Sequence, residues 1–171
     1  MRAAAAAAAL LCAAPARAEE RPVASVEGRA GMVVMGGSRP TGGLALGGGA
    51  RWLQPVSGGP WGWYAGGVVD AVGVGASWRW LGIVAGPEFG GWRALGAWRV
   101  SAGLGAPLGQ LPACNDWGLC LRHWGVYPTA GARVAYRAES VQVGLDVGAM
   151  LVRTLSWSGA AAQVRIVGSY R

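Results

Sequence analysis

The stretch from Val141 to Leu151, VQVGLDVGAML, puts Val141, Val143, Leu145, Val147, Ala149 and Leu151 on one set of alternate positions and Gln142, Gly144, Asp146 and Gly148 on the other. Successive side chains of an extended chain point to opposite faces, so this segment reads as a strand with one wholly apolar face and one face of small residues carrying a single charge. The division recurs along the chain. Ala24, Val26, Gly28, Ala30, Met32 and Val34 alternate with Ser25, Glu27, Arg29 and Gly31, and Ala162, Val164, Ile166, Gly168 and Tyr170 alternate with Gln163, Arg165 and Ser169. Arg51, Asp70, Arg79 and Arg133 each stand alone in a similar run.

The segment WRALGAWRVSAGL, from Trp92 to Leu104, fits the same pattern better than a helix does. Six residues separate Arg93 from Arg99, which would scatter them over different helix faces, and the intervening glycine weakens a helix. As one strand, Arg93, Leu95, Ala97, Arg99, Ser101 and Gly103 face one way, and Trp92, Ala94, Gly96, Trp98, Val100, Ala102 and Leu104 the other.

A soluble sandwich also alternates, but its polar face meets water and its apolar face fills a core with large side chains. Here the polar face is mostly Gly, Ala and Ser, in a chain with 31 glycines and 13% charged residues. Small residues suit the interior of a narrow closed barrel where charges pair across the lumen, with the apolar face turned to lipid. Candidate strands fall near 23–35, 43–53, 61–72, 76–86, 91–105, 121–136, 140–152 and 160–170, an even number. With both termini on one side, the turns on that side are QPVSGGP, GPEFGG and RAES. The opposite loops include GGSRPTG, a segment near VGVGA, the long cysteine-containing stretch and RTLSWSG. Trp52, Trp61, Trp63, Trp78, Trp80, Trp92, Trp124 and Tyr170 lie mostly near strand ends, as interfacial aromatic residues of such barrels do.

Residues 1–18 read as a secretory signal peptide: Arg2, the apolar run Ala3–Ala14 and the small-x-small sequence ending at Ala18. The apolar run is too short for a spanning helix, which needs about 20 residues. Removing it leaves residues 19–171 as one barrel domain with two cysteines, Cys114 and Cys120. In an oxidising compartment they read as a disulfide closing a small loop. A metal site would need more ligands than these and the single histidine, His123, provide.

The sequence resembles the eight-stranded outer-membrane barrels of Gram-negative bacteria, the small OmpA- and OmpX-like proteins. The likeness rests on the signal peptide, the alternation, the turn and loop parity and the terminal strand AAAQVRIVGSYR. It implies an all-β, antiparallel up-and-down transmembrane barrel in the cell outer membrane. Implied partners are outer-membrane lipid and lipopolysaccharide, and the assembly machinery that reads an alternating, aromatic-ended last strand. In such a lumen Arg29, Arg51, Arg79, Arg93, Arg99, Arg133 and Arg165 would meet Glu27, Asp70 and Asp146, an excess of four arginines. An arginine facing lipid at the midplane would cost about 2–4 kcal/mol.

Eight strands enclose room only for side chains, so an open pore is not expected. Lipid A deacylases share this scaffold and carry a His-x-Ser-Asn motif; here Gly125 follows His123 where the serine would stand. A soluble secreted ligand-binding barrel would need the opposite distribution of apolar and polar faces. The basic residues, all arginine and giving a net charge of +7, are spread singly, which argues against nucleic acid. The reading is therefore a non-enzymatic barrel, with no cofactor, of structural or interaction role. Any external ligand would be met by loop residues such as Asn115, Asp116 and Trp117 between the cysteines.

Overall fold

A computed structural model describes residues 21–36, 41–57, 59–74, 81–114, 120–153 and 158–171, with the backbone alone for 74, 113, 114, 120, 121, 153, 158 and 159. The expected signal peptide, Trp78, Arg79, Trp80 and the loop residues Asn115, Asp116 and Trp117 lie outside these residues. Ten strand segments follow in order: β1 Val23–Met35, β2 Thr41–Pro55, β3 Trp61–Val74, β4 Leu81–Leu95, β5 Trp98–Gly105, β6 Leu108–Cys114, β7 Cys120–Val126, β8 Thr129–Ala138, β9 Val141–Arg153 and β10 Ser158–Tyr170. Every pairing is antiparallel, and β1 pairs with β10 to close the wall.

Ten segments make eight barrel strands. β5 and β6 are two halves of one strand interrupted at Ala106 and Pro107, and β7 and β8 are two halves of the next, interrupted at Tyr127 and Pro128. β4 runs beside both β5 and β6, while β5 pairs with β8 and β6 with β7. Proline has no N–H for the ladder, so it is tolerated where the pairing is already broken. Pro87 of β4 stands beside the first interruption, and the wall is stitched there by backbone bonds. Ala106 N–H donates to Pro87 O at 3.2 Å, Tyr127 N–H to Pro107 O at 2.8 Å and Leu151 N–H to Pro128 O at 2.8 Å.

Six of the expected strands, near 23–35, 43–53, 61–72, 121–136, 140–152 and 160–170, coincide with β1, β2, β3, β7 with β8, β9 and β10 to within a few residues. The other two are corrected. GPEFGG is not a turn but the middle of β4. The turn is Gly96-Ala97, closing a two-residue hairpin between the paired residues Leu95 and Trp98. Gly96 has φ 63°, which glycine adopts without a Cβ penalty. The expected strand 91–105 is thus parts of two strands. Residues 108–114 of the expected long cysteine loop form β6, whose register sets Cys114 opposite Cys120.

The three connections at the end holding the chain termini are short: residues 56–60, Gly96-Ala97 and Glu139-Ser140. That end is called the turn end, and the other the loop end.

Candidate functional site: a sealed lumen inside an apolar wall

The outer wall is made of side chains that water would reject. Val26, Met32, Leu46, Val69, Phe89, Leu104, Val143, Leu145, Leu151 and Ile166 all point outward and are about half exposed or more. The lumen holds the reverse, with Glu27, Arg29, Arg51, Asp70, Arg99, Arg133, Asp146 and Arg165 buried. The soluble reading requires the opposite arrangement.

The charges in the lumen form one connected network. Glu27 Oε1 accepts from Arg29 Nε at 2.5 Å and Oε2 from Arg133 Nη1 at 2.6 Å, and Arg51 Nε lies 3.6 Å from Oε2. Arg133 continues to Asp146 at 2.9 Å, Arg165 Nη2 is 3.6 Å from the same carboxylate, and Arg165 Nη1 donates to Asp70 at 2.8 Å. Glu88 closes the other side: it accepts from Arg29 Nη2 at 2.8 Å, from Tyr64 Oη at 3.0 Å and from Arg51. The network ties β1, β2, β3, β4, β8, β9 and β10 together across the interior. Arg99, from β5, lies over the Trp92 ring at 4.5 Å, and the Gln142 side-chain oxygen, with its amide turned toward its donors, accepts from Arg99 Nη1 at 3.2 Å.

Two sequence assignments change here, and both follow from the Gly96-Ala97 hairpin. Across that turn Ala94 pairs with Arg99 and Arg93 with Val100, so the two arginines face opposite ways. Arg93 points outward, with its guanidinium 4.7 Å from the Trp61 ring centroid. Trp92, expected at the interface, is buried inside at 2% exposure and donates its indole N–H to Trp63 O at 3.2 Å. Glu88 is not legible in the sequence because it falls in the supposed turn; with Trp92 and Ala94 turned inward by the hairpin, its period-two spacing from them places it inside as well. Apart from Arg79, which lies outside the described residues, the expected six lumen arginines against three carboxylates become five against four.

Glycines on neighbouring strands make room for these long side chains. In register, Gly47 faces Asp70, Gly66 faces Arg51, Gly31 faces Arg165 and Gly62 faces Trp92. A Cβ at Gly47 would strike the Asp70 carboxylate, one at Gly62 the Trp92 ring, and those at Gly31 and Gly66 would come within 2.8 and 2.9 Å of the arginine stems.

Apolar clusters seal both ends of the charged layer. Toward the loop end lie Val33, Met35, Ala45, Val72, Val84, Leu111, Tyr127, Met150, Val152 and Ala161; toward the turn end lie Leu53, Tyr64, Trp92 and Ala94. The described cavities between them, of about 40 and 20 Å³, admit water molecules but no continuous passage. His123, the candidate histidine, sits on β7 opposite Leu111, and its backbone carbonyl accepts from Tyr127 Oη at 2.6 Å.

Trp52, Trp61, Trp63, Trp98, Tyr136 and Tyr170 face outward near the turn end, with Trp98 and Tyr136 in edge-to-face contact at 5.3 Å. Trp124 is 74% exposed on β7, toward the loop end. Among the strand residues whose side chains are described, the outward wall carries charge only at Arg93 and Arg122, one near each end. Their register partners, Val100 and Pro112, are separated by about 12 residues of strand, roughly 30 Å of depth at a tilt near 40°. An apolar wall of this height, ringed by aromatic residues, matches the hydrocarbon thickness of a bilayer.

The fold and lumen define a class, the small eight-stranded transmembrane β-barrel. Among solved structures the chain is similar to neisserial surface protein A, with a TM-score of 0.65 and 8% identity over 88% of this chain and 99% of that one. It is also similar to Ail, the attachment invasion locus protein of Yersinia pestis (TM-score 0.57, 13% identity, 88% and 98% covered). A third is the N-terminal β-barrel domain of Pseudomonas aeruginosa OprF (TM-score 0.53, 11% identity, 88% and 100% covered). No protein-family model matches the chain, and no curated protein sequence does. At these identities the shared property is the fold.

Proposed function

We propose that this chain is an integral outer-membrane barrel with a structural or surface-interaction role, its turn end in the periplasm and its loop end outside the cell. The observation that carries the reading is the inverted wall, with apolar side chains outside and a charged, sealed lumen within. Cleavage after Ala18 and insertion through the alternating last strand, ending at Tyr170 and Arg171, belong to the same proposal. Lipid and lipopolysaccharide surround the wall, and the assembly machinery receives the last strand.

Contact with an external ligand falls to the loop end, where Asn115, Asp116 and Trp117 connect β6 to β7. A disulfide between Cys114 and Cys120 would brace them, and the directly opposed register of those residues supports it. A surface role also agrees with the likeness to a protein named for attachment and invasion. Catalysis through His123 is the weaker reading, because a glycine follows where the deacylase motif needs serine.

Membrane fractionation followed by electrophoresis with and without boiling tests the proposal. Recovery in the outer membrane with a boiling-dependent change of mobility is expected; a soluble protein with one mobility would refute it.

A further inference from the structure

We propose that Arg93 and Trp61 form a headgroup site for an anionic glycerophospholipid in the leaflet surrounding the turn end. The proposal rests on the membrane reading above, and it begins from the misfit of Arg93 with its surroundings. Between Arg93 and Arg122 the outward side chains that are described carry no charge, and among the described residues no carboxylate pairs with Arg93. A guanidinium fixed in such a wall is held at the depth where its charge meets water or phosphate, because deeper placement carries a steep desolvation cost.

The surroundings fix that depth. Trp61 pairs with Arg93 across the β3–β4 ladder and lies beneath its guanidinium, 4.7 Å from the ring centroid to the central carbon. Stacking holds the planar group against the wall and leaves its N–H edge free to face a phosphate with two parallel donors. Trp63 is the next outward residue on β3, and its partner across the ladder is Gly91. A Cβ at Gly91 would meet nothing nearer than 3.7 Å. On β5 the position after Gly91 is Ala102, and the row above is Phe89 and Leu104. The wall directly above the guanidinium is therefore shallow beside Trp63, a strip that an acyl chain descending from a phosphate at Arg93 would lie along.

The chemistry selects an anionic lipid over a zwitterionic one. Phosphatidylethanolamine and phosphatidylcholine carry an ammonium close to the phosphate, which partly cancels attraction to a single guanidinium. Phosphatidylglycerol presents the phosphate charge uncompensated. One basic residue at a bilayer surface corresponds to a preference of about fivefold.

Quenching of tryptophan fluorescence by brominated lipid tests this directly. The full-length mature protein is refolded into vesicles of phosphatidylcholine mixed with dibromophosphatidylglycerol or with dibromophosphatidylcholine, and the boiling-dependent gel shift checks the fold of each variant. The wild type is expected to be quenched at about fivefold lower mole fraction by the brominated phosphatidylglycerol. Arg93→Gln should abolish the difference and Arg93→Lys should keep part of it. Arg122→Gln, which removes the same net charge at the opposite rim, should leave it unchanged. Equal quenching of the wild type by the two lipids would overturn the headgroup site while leaving the membrane reading intact. So would a preference that survives Arg93→Gln or disappears in Arg122→Gln. Quenching by neither lipid would overturn the membrane reading itself.

Discussion

Replacing Glu27 by glutamine keeps the shape of the side chain and removes one charge from the middle of the lumen. Glu27 is 5% exposed and is ion-paired with Arg29, Arg51 and Arg133. With it neutral, five described lumen arginines would face three carboxylates, and Arg133 would keep only Asp146. Removing one partner of a buried pair costs about 3–5 kcal/mol, because the remaining charge stays buried without compensation. Urea slopes of about 1–3 kcal/mol/M then imply a midpoint lowered by roughly 2 M. The assay is equilibrium urea unfolding in lipid vesicles, followed by tryptophan fluorescence from both directions. A double variant, Glu27→Gln with Arg133→Met, removes one charge of each sign and should recover a substantial part of the loss. An unchanged midpoint in the single variant, or a double variant no more stable than the sum of its two single variants, would refute the account of the lumen as a mutually compensating network.

Asp146→Ala should likewise lower the midpoint, since Arg133 and Arg165 both lean on that carboxylate; an unchanged urea midpoint would count against it. Gly47→Val should reduce the yield of the heat-modifiable form, because the new side chain occupies the space of the Asp70 carboxylate, while Gly42→Val, which meets nothing within 4 Å, should leave that yield unchanged. Trp92→Ala should destabilise by about 3–5 kcal/mol through loss of the turn-end cap, measured by the same urea titration. In planar bilayers the wild type should show no steady ionic conductance, and a stable open level in single-channel recordings would contradict the sealed lumen.

The phase of the alternation was readable wherever each strand kept one face large and apolar and the other small or charged. β9 does this from Val141 to Gly148, and on β1 and β10 the charges fall on the opposite phase from Val26, Met32, Val164 and Ile166, which places Glu27, Arg29, Asp146 and Arg165 inside; near the loop end the inner face turns apolar, at Val33, Met35, Met150 and Val152. It failed at Gly96-Ala97 for a physical reason: a two-residue hairpin needs only one positive φ, and LGAW satisfies it without a polar residue. The alternation therefore runs on unbroken through the turn in the sequence, and it assigns the residues just before the turn, Arg93 and Trp92 among them, to the wrong face. Conversely, Gly86 and Pro87 resembled a turn although they lie within β4, because a proline is harmless where the neighbouring strand is itself interrupted. Glu88 was lost with them. Which arginine meets which carboxylate depends on contacts between strands far apart in the chain, such as Arg165 with Asp70, and no local pattern encodes those.

The glycines opposite the large lumen residues imply a constraint on how this sequence can change. Asp70 fits because Gly47 is beside it, Arg51 because of Gly66, and Trp92 because of Gly62. Sliding one strand past its neighbour by two residues preserves inside and outside, so the apolar wall alone tolerates that error. The interior does not, since Arg51 and Trp92 would leave their notches: a slide in either direction would bring Arg51 opposite Tyr64 or Val68, and Trp92 opposite Tyr64 or Pro60, in place of a glycine. The lumen thus acts as a lock on strand register that lipid contacts cannot supply, and substitutions at a notch and its occupant are expected to be inherited as pairs.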